Sequence, residues 1–391
     1  MSSSEDTNAP DDAGSEQSKL RIALIAPLVT PIAQPFVGGA QAMLAHLAQG
    51  LHNRGHAVTL FARQGSYVPA IPLEEIAVPE SVVPASFSEP TQARPTDTGF
   101  FDQANIFLRL FLQLRARQQE FDLVHAHAFD WPAFSSGALL EAIPVLHTLH
   151  LPAVSPEIRE ALHILHTHPH APTLITVSHA CARTYDSYYE GGTSLFDDII
   201  YNGLDLNNIP FSANVLSNAP LLFAGRISPE KGVEAAIDIA ERSGRQLHIV
   251  GGIYDTSYYE TRIAPRIQDS HGHITYLGQL SQAHLWRVMS QSSGLLFPIA
   301  WDEPFGLVPV EAMATGTPVI AYRRGAVQEI IRHGETGFLV EPGNISQAAS
   351  LISALPDISR NQCRVHVEQH FSLDRMLDAY EHVYRRVVTR L

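Results

Sequence analysis

Two glutamates eight positions apart, Glu303 and Glu311, bracket the segment FPIAWDEPFGLVPVEAMATGTPV, Phe297 to Val319. It opens as an apolar strand, Leu295 to Phe297, breaks at Pro298, crosses an acidic loop from Trp301 to Gly306 and continues as a helix to about Ala314. Gly306, Leu307 and Val308 then supply the first free amides of that helix. Unpaired N–H groups with a helix dipole behind them bind anions. An ionised carboxylate only accepts and can take two O–H donors, so carboxylates on both sides suit a hydroxyl-rich group. Phosphate plus polyol is the chemistry of a nucleotide sugar.

A second stretch, FAGRISPEKG from Phe223 to Gly232, adds positive charge. Gly225 ends a strand, Arg226 follows at its carboxyl edge, and Lys231-Gly232 opens the next helix. A guanidinium fork and an ammonium point charge at fixed spacing suit a diphosphate. Either residue alone would read as part of a solvated loop; beside the Glu303/Glu311 segment, the phosphate reading prevails. His127, His150 and Ser178 fall at the ends of the strands Asp122–Ala126, Val145–Leu149 and Thr173–Val177. Ligands sit at the carboxyl ends of such strands. Each of the three alone reads as a structural polar residue, and position raises His127 above the others. His163, His166, His168 and His170 have superficial metal-ligand spacing, but in a chain with 20 histidines a surface loop without metal is the expectation.

The elements that must position these groups alternate. Leu20–Leu28 reads as a buried strand, followed by Gly38-Gly39, a helix with Met43, Leu47 and Leu51 on one face, and the strand Ala57–Phe61. Paired glycines at a helix start let another group approach the backbone, although they are also ordinary turn chemistry. Residues 65 to 99, rich in Pro and Ser, read as a long irregular connection. Phe100–Gln118 reads as an amphipathic helix with Arg109, Arg115 and Arg117; we take it to cover the sheet, with contact to a membrane or lipid-linked acceptor as the competing reading. After a last strand, Ile199–Asn202, the chain turns polar and restarts at Leu221–Ala224.

A second series follows: helix Val233–Ser243, strand Gln246–Val250, a helix near Tyr258–Ile267, strand Ile274–Leu277, helix Gln282–Gln291, and strands Gly294–Phe297, Pro318–Ala321 and Gly337–Val340. The fold class is α/β, two facing Rossmann-like doubly wound domains with a cleft between them. The expected division is an acidic tail over 1–19, an N-terminal domain over 20–205, a C-terminal domain over 206–372, and a helix over 373–391 that packs back on the N-terminal domain.

At 391 residues two domains are the natural expectation. Lys+Arg 26 against Asp+Glu 40 gives a net charge of −14, which argues against nucleic acid as a partner. A phosphate site in such a chain must be made positive locally. Two cysteines, Cys181 and Cys363, form no disulfide framework and fit a reducing compartment. No apolar run approaches a transmembrane helix, and the N-terminus lacks the basic and apolar regions of a secretory signal. The expected location is cytoplasmic.

From about Lys19 onward the chain resembles the retaining glycosyltransferases of family 4, which have the GT-B fold. GRISPEKG, the Glu303/Glu311 pair inside EPFGLVPVEAMATGTPVIA, YNGLDL at Tyr201–Leu206 and GETGFLV at Gly334–Val340 carry the resemblance. HAHAFDWP at His125–Pro132 and TLH at Thr148–His150 fit the family's N-terminal domain. The resemblance implies a hexosyltransferase with a UDP- or GDP-sugar donor, no cofactor and no metal, and the sequence has no Asp-x-Asp pair. It implies that Arg226 and Lys231 hold the diphosphate and that Glu303 binds sugar hydroxyls. The amides of Phe305, Gly306, Leu307 and Val308 would take sugar and phosphate oxygens, and Glu311 the ribose diol. Gly38 and Gly39 would let their loop approach the donor, His127 would touch the sugar near the reacting carbon, and the base would lie near Tyr276–Gly278. Gln41 stands where many relatives have Glu. The acceptor stays open among a saccharide, a lipid-linked sugar, a small metabolite and a protein. Rival readings are a GT-B epimerase, a phosphorylase and an inactive nucleotide-sugar-binding protein.

Overall fold

A computed structural model describes residues 19–34, 36, 38–79, 97–128, 131–137, 139–153, 155–186 and 194–389. The acidic tail up to residue 18, residues 80–96 of the Pro/Ser-rich connection and Phe129-Asp130 of HAHAFDWP lie outside the described residues. Two parallel sheets organise the rest. The first contains β1 (Arg21–Ile25), β2 (Ala57–Arg63), β3 (Leu73–Ile76), β4 (Leu123–Ala126), β5 (Val145–Leu149), β6 (Thr173–Thr176) and β7 (Asp198–Ile199). Its order is β3-β2-β1-β4-β5-β6-β7. The second contains β8 (Leu221–Ala224), β9 (Leu247–Val250), β10 (Ile274–Tyr276), β11 (Gly294–Phe297), β12 (Val319–Tyr322) and β13 (Gly337–Val340), in the order β10-β9-β8-β11-β12-β13.

Strand order reverses between β1 and β4 in one sheet and between β8 and β11 in the other. At such a switch point adjacent crossovers leave on opposite faces, and a crevice opens beyond the carboxyl ends. The crevice of the first sheet lies between the Gly38-Gly39 loop and His127. That of the second lies between the Arg226–Lys231 loop and the Pro298–Gly306 loop. Topology therefore places these predicted groups at crevice edges.

The first sheet is flanked by α1 (Gly39–Asn53), α2 (Asp97–Ala116), α3 (Trp131–Gly137), α4 (Pro156–His166) and α5 (His179–Asp186). The second is flanked by α6 (Val233–Ser243), α7 (Thr256–Tyr258), α8 (Ala264–Asp269), α9 (Gln282–Gln291), α10 (Leu307–Ala314), α11 (Val327–Ile330), α12 (Ile345–Leu351) and α13 (Arg360–His370). The last helix, α14 (Leu373–Val388), crosses back. Its Met376, Tyr380, Tyr384 and Val387 join Ile22 and Leu24 of β1 and Met43 and Leu47 of α1 in one core. Alternation along β1 sends Ala23 and Ile25 to the opposite face, against Phe107 and Phe111 of α2. The outer side of α2 leaves Leu108 43% and Leu112 47% exposed.

Three expectations change. The connection over 65–99 contains β3, whose LEEI sequence lacks an apolar alternation because it is a largely half-buried edge strand. His163 and His166 lie on the last turn of α4, not in a loop. Ser155 caps that helix by accepting from the Ile158 amide, with Pro156 in its first turn. The helix expected near Tyr258–Ile267 is α7 and α8 joined by a π turn, Tyr259–Ile263, just before Pro265. Proline has no N–H to give to the helical ladder, and a widened turn accommodates the gap.

Candidate active site

Gly306 adopts the left-handed conformation (φ 107°, ψ 66°) and starts α10. Among the described residues the amides of Phe305, Gly306, Leu307 and Val308 have no protein acceptor. Pro309, in the first turn, has no N–H to contribute. The Phe305 ring is buried against Tyr201 and Phe371, with centroids 6.0 and 5.9 Å away, which anchors the loop while its amides stay free. From the first half, Ser178 Oγ donates to the Pro304 carbonyl at 2.5 Å.

Glu303 accepts from Lys231 Nζ and from Trp301 Nε1, both at 2.9 Å on the same oxygen. The Lys231 ammonium also sits 4.9 Å from the Trp301 ring centroid, a cation–π distance. Lys231 and Glu303 are only 15% and 16% exposed, so the pair is largely withdrawn from water. An ammonium has three donors, and the bond to Glu303 uses one. The Glu303 backbone is itself gripped: the Ala326 amide donates to its carbonyl at 2.9 Å. Gly325 (φ 53°) passes so close that an added Cβ would stand 2.4 Å from that carbonyl oxygen.

The Arg226 guanidinium lies over Tyr254 at 4.6 Å and 3.8 Å from Glu230. Tyr254 gets there because Ile227 pairs with Ile253 beyond the ends of β8 and β9. Glu311 is buried inside α10, accepting from Gln282 Nε2 at 3.0 Å and Trp286 Nε1 at 3.2 Å. Both bonds fall on Oε1, and no described residue donates to Oε2. Burial pushes the pKa of Glu311 up, and the two hydrogen bonds oppose that shift.

On the first half, the Gly38 amide is occupied by Gln41 Oε1 at 2.7 Å, a cap bond. Gly39 is the residue that meets the other half: an added Cβ would stand 2.7 Å from Leu307 Cδ1. The amino-termini of α1 and α10 therefore converge, and both helices direct their positive ends to the same place. His127 is 1% exposed, with Nδ1 2.9 Å from His150 Nε2. Its pKa is well below the usual histidine range because of burial and the neighbouring His125, His150 and His147, so the ring is neutral.

The structure thus joins Lys231 to Glu303 and Gly39 to Leu307, with Phe305–Val308 as the free-amide loop between Glu303 and Glu311. Arg226 is held by a different partner. His127 contacts His150, not the groups of the second half. Trp301, Tyr254, Gln282, Trp286 and His150 as a partner of His127 escaped the sequence reading. Gln282 and Trp286 lie four apart on one helix face, the one signal that was present. Among the described residues no three His, Cys, Asp or Glu side chains converge to hold a metal. No helix there is long and apolar enough to cross a membrane.

Residues 37–208 match the family model "Glycosyltransferase Family 4", and residues 209–365 match "Glycosyl transferases group 1". The chain is 28% identical to a phosphatidyl-myo-inositol mannosyltransferase of Mycobacterium leprae, over 85% of this chain and 87% of that one. It is also 28% identical to a D-inositol 3-phosphate glycosyltransferase of Mycolicibacterium smegmatis, over 94% and 92%. Among solved structures it superposes on a sucrose-phosphate synthase from Thermosynechococcus elongatus with a TM-score of 0.74 at 22% identity, covering 95% of this chain and 100% of that one. The Anabaena protein HepE in complex with UDP and glucose gives a TM-score of 0.70 at 21% identity, covering 94% and 100%. With both family models matched in succession and the fold shared, the chain belongs to the group 1 glycosyltransferases of family 4 and has the GT-B fold.

Proposed function

We propose that the protein transfers a hexosyl group from a UDP- or GDP-sugar with retention at the anomeric carbon and without a metal ion. The observation that carries this reading is the run of free amides from Phe305 to Val308 facing the start of α1 across Gly39. That arrangement suits an anion, and Glu303 and Glu311 on either side suit hydroxyls. Arg226 and Lys231 hold the diphosphate and offset the charge that grows as the bond to the sugar breaks. Such preorganised donors contribute roughly 3–4 kcal/mol each to a transition state. The acceptor oxygen attacks the face the diphosphate leaves, and its proton passes to the departing phosphate oxygen. Glu303, already bonded to Lys231 and Trp301, acts as a hydroxyl-binding group and not as a nucleophile. His127 presents Nε2 to the sugar. Relatives named for inositol-based acceptors support a polyol or lipid-linked polyol among the acceptor candidates.

The test is a thermal-shift panel with UDP-glucose, GDP-mannose, ADP-glucose and TDP-glucose in EDTA. A donor at about 100 times its dissociation constant adds roughly 2.7 kcal/mol of stability. A UDP- or GDP-sugar is expected to shift the transition in EDTA. Shifts that appear only with added Mn²⁺ would overturn the metal-free reading.

A further inference from the structure

Behind His127 lies a group of buried side chains that the donor reading does not use. β4 carries His125 and His127; β5 leads through His147 and Thr148 to His150 just beyond its end. His125 has both nitrogens engaged, Nδ1 with Tyr384 Oη at 2.7 Å and Nε2 with Thr148 Oγ1 at 2.8 Å. Its ring packs 4.1 Å from that of His127 but cannot take a further bond from it. His127 Nδ1 therefore has His150 Nε2 as its partner, with the two rings stacked at 5.2 Å. Burial keeps both rings neutral, His150 down at about 4.

Between two neutral imidazoles one nitrogen must donate and the other accept, which leaves two arrangements. If His150 donates, His127 carries its proton on Nε2. That nitrogen is buried and has no partner among the described residues. If His127 donates, its Nε2 holds only a lone pair, and the second proton moves to Nδ1 of His150, a residue that keeps 8% exposure. An orphaned buried N–H is rarer and costlier than an under-used acceptor.

We propose that His150 is a positioning residue that sets the tautomer of His127, so that His127 donates from Nδ1 to His150 and turns the lone pair of Nε2 toward the transferred sugar. The inference rests on the donor reading for the identity of what Nε2 meets. It adds that the site requires a hydroxyl donor at that point of the sugar. Because that lone pair already stands buried and unmatched in the unliganded protein, a sugar carrying the hydroxyl gains one hydrogen bond there that a sugar lacking it does not.

The test uses the full chain labelled with ¹⁵N-histidine. Two-bond ¹H–¹⁵N spectra are expected to place the His127 proton on Nδ1 in the wild type. His150→Leu should release it to Nε2 or to a mixture, and His150→Gln, whose amide oxygen still accepts, should restore it. With whichever donor the panel selects, His150→Leu should lower kcat about tenfold, the worth of one hydrogen bond, with little change in donor affinity. His150→Gln should recover most of that loss. A wild-type proton on Nε2 overturns the inference, as does an unchanged tautomer in His150→Leu. The spectra decide the tautomer without turnover, so a wild type that binds no nucleotide sugar would count against the donor reading separately.

Discussion

Burial raises the pKa of Glu311, and the donors Gln282 and Trp286 only partly offset it. A carboxyl whose pKa is higher in the folded state binds its proton more tightly when folded. Its ionisation therefore costs stability as pH rises through the folded value. Glu311→Gln keeps the acceptor oxygen for Gln282 and Trp286 while removing that cost. It should stabilise the unliganded protein at pH 7 by about 1 kcal/mol, with the gain vanishing toward about pH 4. Thermal unfolding at both pH values checks this, and an equal gain at each would remove ionisation as the cause. The same variant should weaken nucleotide binding about tenfold, since the ribose hydroxyls lose a charged acceptor. Glu303 and Glu311 were legible in the sequence because a loop and a helix start gave them context. Trp301, Gln282, Trp286 and Tyr254 were not, because only the packed fold brings those donors and that aromatic face to their charges.

At the scale of elements, the two halves are fastened at the start of α5. Glu329 of α11 accepts from the amides of His179 at 2.9 Å and Ala180 at 2.6 Å, and from Tyr201 Oη at 3.0 Å. A carboxylate from the second half thus caps a helix of the first. Glu329→Ala leaves those amides without their acceptor and should cost about 2 kcal/mol, read as a lower urea midpoint. An unchanged midpoint would mean that water replaces the carboxylate at no cost. The central strands were legible as short apolar runs, and α6, α9 and α14 as periodic ones. α13 was not. Its buried residues are Arg360, Cys363, His366 and Val367, a mostly polar set that no apolar pattern signals. Arg360 becomes a core residue only because Ser212, Ser290, Ser292 and Thr317 supply acceptors from distant segments.

At the scale of the molecule, the anion site we propose has to be built from local parts, because the chain carries a net charge of −14. Two topological switch points face each other, the starts of α1 and α10 meet at Gly39 and Leu307, and Arg226 and Lys231 stand at the edge of the second sheet. The α/β architecture was legible from the alternation of strands and helices, and the candidate groups from their loops at strand ends; strand order was not. Nor was the meeting of the two helix starts, because it depends on how one half sits on the other. The central claim is that these groups hold the diphosphate of the donor without a metal. Its most direct measurement is calorimetric titration of UDP and GDP in EDTA, against the wild type and the Arg226→Ala, Lys231→Ala double variant. The account predicts binding of one diphosphate to the wild type and an affinity at least about 100-fold weaker in the variant, as expected for two charge-assisted bonds. Equal affinity in the two proteins would contradict it.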